Sequence, residues 1–180
     1  MDAGVLRNFT PPGYQIEDGK VCVIPEGYTR IDTALLEGND EIVRLVLPHS
    51  LVSIGPRAFS CCPNLRKVTL PKKLEQLGEY AFSSSSLANI TVPGSVKGIP
   101  RCCFSSSTHL YEVVLEEGIT AIGPQALADC PNLSQVHTPA SVSAIAEDAF
   151  ENCPHLHIVT LSSSFAADFA RQHNVPTTER

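Results

Sequence analysis

The sequence predicts an α/β-type solenoid, a coil of short, similar turns that share one parallel β-sheet face. Two observations predict it: a pattern of apolar residues recurs every 22 or 23 residues, and each copy closes on a small residue followed by a bulky one. Such a period is typical of repeat architectures, in which each unit buries its apolar edge only against its neighbours. We expect a single domain over residues 1–180, with an N-terminal lead and cap hairpin (1–24), repeats of about 23 residues (25–161), and a C-terminal cap helix and tail (162–180).

An apolar residue opens each unit. The openers are spaced by 23, 22, 23, 23 and 23 residues, and they are Ile42, Leu65, Leu87, Leu110, Leu133 and Leu156. Two apolar residues in alternation follow each opener, which is typical of a short strand with those side chains turned inward. A proline then follows in four units and ends strand pairing, because it has no N–H to donate. Stacked units would place successive strands about 4.8 Å apart in one parallel sheet.

The second half of each unit predicts an irregular or short-helical return. Its apolar residues lie three, then four or five, residues apart, and a pair such as Ala81-Phe82 closes it. Glycines at the bend, which are Gly55, Gly78 and Gly123, are expected to supply a positive φ.

The two ends of the chain carry their own signals. Asp18-Gly19, between two short apolar segments, predicts a β-hairpin that covers the first turn. At the other end, Ser163 or Ser164 can N-cap a short helix in which Phe165 and Phe169 share one face. We expect this helix to cover the last turn.

The full pattern, L-x-x-V-x-L-P-x-x-L-x-x-I-G-x-x-A-F-x-x-C, resembles the leucine-rich repeats of the treponemal, BspA-like class. The resemblance covers roughly residues 20–176. The residues that carry it are Leu65, Val68, Leu70, Pro71, Leu74, Leu77, Gly78, Ala81 and Phe82, and again Ile122, Gly123, Ala126, Leu127, Cys130 and Leu133. It implies a right-handed leucine-rich repeat coil, and an adhesion-type binding protein that is secreted or displayed on a bacterial cell surface.

Composition excludes several classes of partner. The net charge of −6 and the isoelectric point of about 5.4 argue against a nucleic-acid backbone. No apolar run approaches the eighteen or so residues of a membrane span. The first residues contain no apolar signal-peptide core, so a cytoplasmic location stays open beside the extracellular or cell-surface one that the resemblance implies.

No residues with a catalytic, metal-binding or cofactor-binding pattern stand out. The seven cysteines are odd in number and include adjacent pairs, which argues against a disulfide framework. The repeat places most of them in the interior, whereas Cys61 and Cys102 are expected at exposed positions, where oxidation or dimerisation could occur. The histidines are too far apart in the repeat to share a metal ion. We therefore expect no enzyme activity, no metal and no cofactor.

The outward side chains of the strands form two rows across the predicted sheet. The first row is Arg44, Lys67, Asn89, Glu112, Gln135 and Ile158, and the second is Val46, Thr69, Thr91, Val114, His137 and Thr160. The ten residues before the last strand are the predicted partner-binding residues, because solenoids present extended sheet faces to their partners. A protein ligand is expected and a glycan is the second option. The alternative is that β-branched residues stand here only because they favour strand geometry.

Three functions stay open. The leading hypothesis is a noncatalytic recognition module that uses the outward sheet face. The others are a cytoplasmic interaction scaffold or self-associating protein, and an enzyme-associated domain of a larger protein. The sequence does not specify an oligomeric state.

Overall fold

The computed structural model describes residues 4–6, 14–17 and 20–179, and in it the chain forms a solenoid of about seven turns. The helix α1 spans Phe165–Gln172. The strands are β1 (Val5–Leu6), β2 (Gln15–Glu17), β3 (Val21–Val23), β4 (Arg30–Ile31), β5 (Arg44–Val46), β6 (Ser53–Ile54), β7 (Lys67–Val68), β8 (Gln76–Leu77), β9 (Asn89–Val92), β10 (Gly98–Ile99), β11 (Glu112–Leu115), β12 (Ala121–Ile122), β13 (Gln135–His137), β14 (Ala144–Ile145), β15 (Ile158–Thr160) and β16 (Thr177–Glu179).

The predicted parallel strands form one side of the solenoid, which we call the front ladder. It has two parts, β2-β3-β5-β7 and β16-β15-β13-β11-β9. Neighbouring turns pair residue for residue, so that Glu112 lies opposite both Asn89 and Gln135. At the N-terminal end β2 pairs with β3 in the antiparallel sense, while the Asp18-Gly19 turn lies outside the described residues.

Of the two predicted forms of the return, irregular or short-helical, the short-helical one does not occur in the described residues. The returns carry a second set of parallel two-residue strands, the rear ladder, in the orders β1-β4-β6-β8 and β10-β12-β14. These segments lie between tight turns and are too short to close the first hydrogen-bonded turn of a helix, whereas the neighbouring turn offers pairing partners at once. Within the described ranges α1 is the only helix.

The segment of each turn that leads from the rear ladder back to the front ladder forms a third side of the solenoid, which we call the turn side. Backbone hydrogen bonds connect the turn sides of neighbouring turns. Arg57, Phe59 and Cys61 donate their N–H groups to the carbonyls of Glu79, Ala81 and Ser83 at 2.9, 2.9 and 2.8 Å. In each turn before the last, these donors include residues in the left-handed region, and with Asn152 of the last turn their φ lies between 51° and 58°. Such residues on the turn side are Ala34, Arg57, Cys61, Tyr80, Ser84, Cys102, Ser106, Gln125, Asp129 and Asn152.

The bend glycines are needed for a different reason from the predicted positive φ. None of Gly55, Gly78 and Gly123 has a positive φ. Instead, a Cβ built at Gly55 would lie 2.8 Å from the Asp32 carbonyl carbon, and one at Gly123 would lie 2.8 Å from the Ile99 oxygen. Glycine is needed at these bends because the backbone of the preceding turn passes too close for any side chain.

The core is a column of side chains inside the coil, and aromatic rings stack along part of it. Phe59, Phe82 and Phe104 are fully buried, with ring centroids 5.4 and 5.8 Å apart in succession. At the C-terminal end Phe150 meets Phe169 of α1 edge-on at 6.1 Å. The core is therefore continuous from the repeats into the helix.

Both ladders are interrupted at the same place. β7 and β9 do not pair, and neither do β8 and β10, so these four described strands are edges inside the solenoid. The interruption coincides with the 22-residue unit, which has one residue fewer between Ser85 and Leu87 than the preceding unit has between Cys62 and Leu65. On the turn side the bonding continues, since Phe82 donates to the Cys103 carbonyl at 2.9 Å.

The last strand is shifted by one residue from the predicted register. Ile158 pairs with Val136, which places Ile158 and Thr160 inside and leaves Leu161 42% exposed. The prediction that Ile158 and Thr160 face outward was therefore wrong, because a one-residue slip turns every side chain of a strand to the other face. The slip brings the Thr160 hydroxyl within 2.7 Å of the Ser164 hydroxyl, at the start of α1.

Ser164 is the N-cap of α1, as one of the two predicted candidates. Its hydroxyl oxygen accepts a hydrogen bond from the Ala167 N–H at 3.2 Å. The helix packs against β14 and β15. Its buried face contains Phe169 but not Phe165, which is exposed, contrary to the prediction that the two share the buried face.

All seven cysteine thiols are free, and they differ in how deeply they are buried. Burial raises the pKa of Cys22 to about 12 and that of Cys62 to about 11. Cys61 is exposed as predicted, but Cys102 is buried, because its turn-side position folds the side chain against the Gln125 amide oxygen at 3.5 Å.

We expect Phe82→Ala to lower the free energy of unfolding by about 3–5 kcal/mol, since it opens a cavity in the middle of the ring stack. Denaturant unfolding followed by circular dichroism measures this change. Tyr111→Ala is the control, because Tyr111 is 46% exposed and its loss should change stability by no more than about 0.5 kcal/mol. Equal effects of the two substitutions would contradict the described core.

We expect iodoacetamide at about pH 8 to modify Cys61 well before Cys22 or Cys62, because only the thiolate reacts and the buried thiols remain protonated. Raising the pH should leave Cys22 and Cys62 protected until their pKa values of about 12 and about 11 are approached, or the protein unfolds. Peptide mapping by mass spectrometry gives the order, with Cys102→Ser as a control that should not change the fast phase. Early modification of Cys22 would contradict its burial.

Candidate recognition surface

The ten predicted partner-binding residues all lie on the solvent side of the front ladder. They form two rows, and each member is exposed or half-buried. The first row is Arg44, Lys67, Asn89, Glu112 and Gln135, and the second is Val46, Thr69, Thr91, Val114 and His137. The parallel register therefore brings these side chains together on one face.

The interruption of the ladder divides this face. Between β7 and β9 lies a cavity of about 320 Å³, which we call the front cleft. Lys67 and Thr69 line one wall, and Asn89 and Thr91 line the other. Beneath them are inward side chains, namely Val68, Leu70 and Ile90, which are almost fully buried. Four of the ten predicted residues thus surround one concave site with an apolar floor.

The front cleft is basic although the chain is acidic. Arg66, Lys67 and Lys72 line it, with Glu116 as the one carboxylate. Across the described ranges, none of the three cations forms an ion pair. Uncompensated charges of one sign in a concave site concentrate the electrostatic potential there, and here the potential is positive.

The other end of the face differs, because two predicted residues there engage each other. His137 Nε2 lies 3.3 Å from Glu112 Oε1, and the two side chains are 21% and 32% exposed. The two atoms lack hydrogen-bonding geometry. This contact joins the two rows across β11 and β13 and pairs a carboxylate with an imidazole, so unpaired basic side chains do not accumulate there as they do at the front cleft.

Sequence reasoning missed the front cleft and the contribution of Arg66 and Lys72. The available signal was the 22-residue unit, which falls between the turns that carry Lys67 and Asn89. A missing residue between two strands changes how the second strand meets the first, so the irregular spacing marked the place where pairing fails.

The part of the chain that the structure describes contains no cluster of three or more His, Cys, Asp or Glu side chains suited to hold a metal ion. Over the same residues, no helix is long and apolar enough to cross a bilayer.

The overall geometry matches solved bacterial proteins. A leucine-rich repeat protein from Eubacterium ventriosum superposes with a TM-score of 0.67 and 18% identity over 76% of this chain, which spans 43% of that protein's chain. The T. pallidum leucine-rich repeat protein superposes with a TM-score of 0.61 and 24% identity over 83% of this chain and 85% of that one. At these identities the likeness concerns the fold.

A comparison with proteins of curated function gives no significant match. The family comparison does: the model of the BspA type leucine-rich repeat region matches six copies over residues 23–164. That range contains the front ladder from β5 to β15, the turn-side bonds and the aromatic stack. The chain therefore belongs to the BspA-type leucine-rich repeat family.

Proposed function

We propose that the protein is a noncatalytic recognition module that binds an acidic, extended segment of a partner protein at the front cleft. The observation that carries this proposal is the cleft itself, where Lys67, Thr69, Asn89 and Thr91 surround an apolar floor, and where Lys67 and two further cations, Arg66 and Lys72, form no ion pair among the described residues. Membership of a leucine-rich repeat family supports a protein-binding role.

The backbone at the cleft supports an extended partner. β7 and β9 each have a pairing strand on one side only, so their cleft-facing edges can bond to another main chain. Peptides that add to such an edge gain affinity from backbone hydrogen bonds and specificity from pockets that take alternate side chains. Here Asn89 and Thr91 offer the polar contacts, and Val68 and Ile90 offer the apolar ones.

The charges at the cleft determine which sign of charge the partner should carry. Arg66, Lys67 and Lys72 favour carboxylate side chains over ammonium groups, and they raise the rate of encounter at low salt. The segment that fits best therefore alternates acidic residues, which meet the cations, with small apolar residues, which face the floor.

The location of this function on a bacterial cell surface is part of the proposal, and it rests on the family. A specific observation favours an alternative, an interaction scaffold in a reducing compartment: all seven cysteines are free, and several are buried thiols. Labelling intact source cells with a membrane-impermeant reagent separates the two. Surface labelling supports an adhesion-type role, and recovery from the cytoplasm alone supports the scaffold.

We expect a fluorescein-labelled decapeptide of alternating Glu and Val to bind, and a Lys-Val decapeptide to bind weakly or not at all. Lys67→Glu together with Lys72→Glu should weaken the Glu-Val peptide by about tenfold or more, since it reverses two charges at the cleft. Fluorescence anisotropy gives the dissociation constants, and increasing salt from about 50 to about 300 mM should weaken binding as well.

Lys73→Glu is the matched control, because Lys73 is an exposed neighbour that does not line the cleft. It changes the net charge by two units without touching the site, so binding should persist. If the control and the double variant lost the same affinity for the Glu-Val peptide, or if the protein bound both peptides equally, the cleft would not be the binding site.

A further inference from the structure

At the C-terminal end of the turn side, two backbone donors have no acceptor among the residues that the structure describes. In earlier turns Leu127 donates its N–H to Ala149 at 2.9 Å, and Asp129 donates to Glu151 at 2.8 Å. The corresponding donors one turn later are Phe150 and Asn152. In the described part of the chain, no acceptor lies within hydrogen-bonding geometry of either N–H.

The geometry of these two donors is already set. Asn152 has a φ of 56°, close to the 55° of Asp129, so its backbone is turned as in the preceding turn. The two N–H groups are two residues apart, and the acceptors they would need have the same spacing, as Ala149 and Glu151 do. An extended backbone presents carbonyls on one edge at this two-residue interval.

A cavity lies between the last turn and the end of α1, and Phe150, Glu151 and Cys153 line it, while Asn152 does not. This terminal pocket has a volume of about 460 Å³. Its apolar surface comes from Phe150, Leu156 and Phe169, with Val175 on the side of the segment that follows the helix. Its size falls within the range of about 300–1,000 Å³ that ligand sites occupy.

The rim of the terminal pocket is acidic. Glu147, Asp148 and Glu151 line it, and His173 is the one residue there that can carry a positive charge. Among the described residues none of these carboxylates is in an ion pair, although Asp148 Oδ1 accepts a hydrogen bond from the Gln125 N–H at 3.3 Å. An anionic ligand is disfavoured here, and a cationic one is attracted.

We propose that the terminal pocket is a second binding site, which takes an extended peptide segment with basic residues on either side of an apolar one. Its main chain accepts hydrogen bonds from the N–H groups of Phe150 and Asn152, which continues the turn-side pattern by one more strand-like segment. Its apolar side chain packs on Phe150 and Phe169, and its Lys or Arg side chains meet Glu147 and Glu151. This site selects the opposite charge from the front cleft.

A second copy of this chain is a weaker occupant on grounds of charge. To continue the turn side, that copy would bring its first turn to the pocket, and the neighbouring segment there is acidic, with Glu37, Asp40 and Glu41. Like charges would then meet across the contact.

The test uses a fluorescein-labelled octapeptide of alternating Lys and Leu, with its Glu-Leu counterpart as the comparison. We expect the Lys-Leu peptide to bind, and Glu147→Lys together with Glu151→Lys to weaken it by about tenfold or more. Glu75→Lys together with Glu79→Lys is the matched control, since both residues are exposed and lie away from the pocket. Equal loss in both variants, or preference for the Glu-Leu peptide, overturns the proposal.

Amide hydrogen exchange by NMR supplies a readout that charge attraction alone would not move. Bound Lys-Leu peptide should slow the exchange of the Phe150 and Asn152 amides, whereas Leu127 and Asp129 are already bonded and should change little. Binding without slower exchange at Phe150 and Asn152 overturns the proposed geometry. Slowing that depends on protein concentration without peptide assigns the pocket to a second copy, which also overturns it.

Discussion

The solenoid depends on the backbone hydrogen bonds that join the turn side of one turn to the next. They require residues such as Arg57 and Cys61 to adopt the left-handed conformation, which costs about 1–2 kcal/mol for each residue with a side chain. The turn of Arg57 has three such bonds for its two left-handed residues, and a typical hydrogen bond contributes about 0.5–1.5 kcal/mol, so the bonds do little more than offset that cost. Further stabilisation comes from stacking, because the same turns hold Phe59, Phe82 and Phe104 in contact. Neither contribution exists in an isolated turn, which explains why the units are stably folded only when they are stacked in an array.

Sequence reasoning recovered what apolar spacing determines. The openers, the front strands and their parallel order follow from residues such as Leu65 and Val68, whose alternation has one simple explanation. Sequence reasoning did not recover the left-handed residues. Residues such as Arg57, Tyr80 and Gln125 have no local preference for that conformation, and they adopt it because neighbouring turns bond to them. The rear ladder was missed for a related reason: two-residue strands are held by pairing across turns and leave almost no pattern along the chain.

Both proposed sites lie where the period of the repeat fails. At the 22-residue unit the strands separate and leave the front cleft, with Lys67 and Asn89 on opposite walls. At the C-terminal end the described turn side stops, with no acceptor among the described residues for the N–H groups of Phe150 and Asn152, and Phe150 lines the terminal pocket. In a regular solenoid each backbone edge is occupied by the next turn, so binding edges appear only at an irregularity or an end. In the binding mode that we propose, the outward rows supply the side chains that distinguish one partner from another.

The interruption between β7 and β9 also has a mechanical meaning. Along most of the array three sides connect each turn to the next, but at this junction the strand ladders of two sides are open. The backbone bonds that remain there lie on the turn side, with the Phe82 and Phe104 rings 5.8 Å apart behind it, and the Ser95 hydroxyl donates to the Lys72 and Leu74 carbonyls between the two ladders. Because fewer backbone hydrogen bonds cross this junction than its neighbours, we expect it to bend more easily than the rest of the coil. The stability of a repeat array is approximately the sum of the interaction free energies between neighbouring turns. The weakest of these interfaces therefore divides the chain into two blocks, which we expect to open locally and to unfold as separate units.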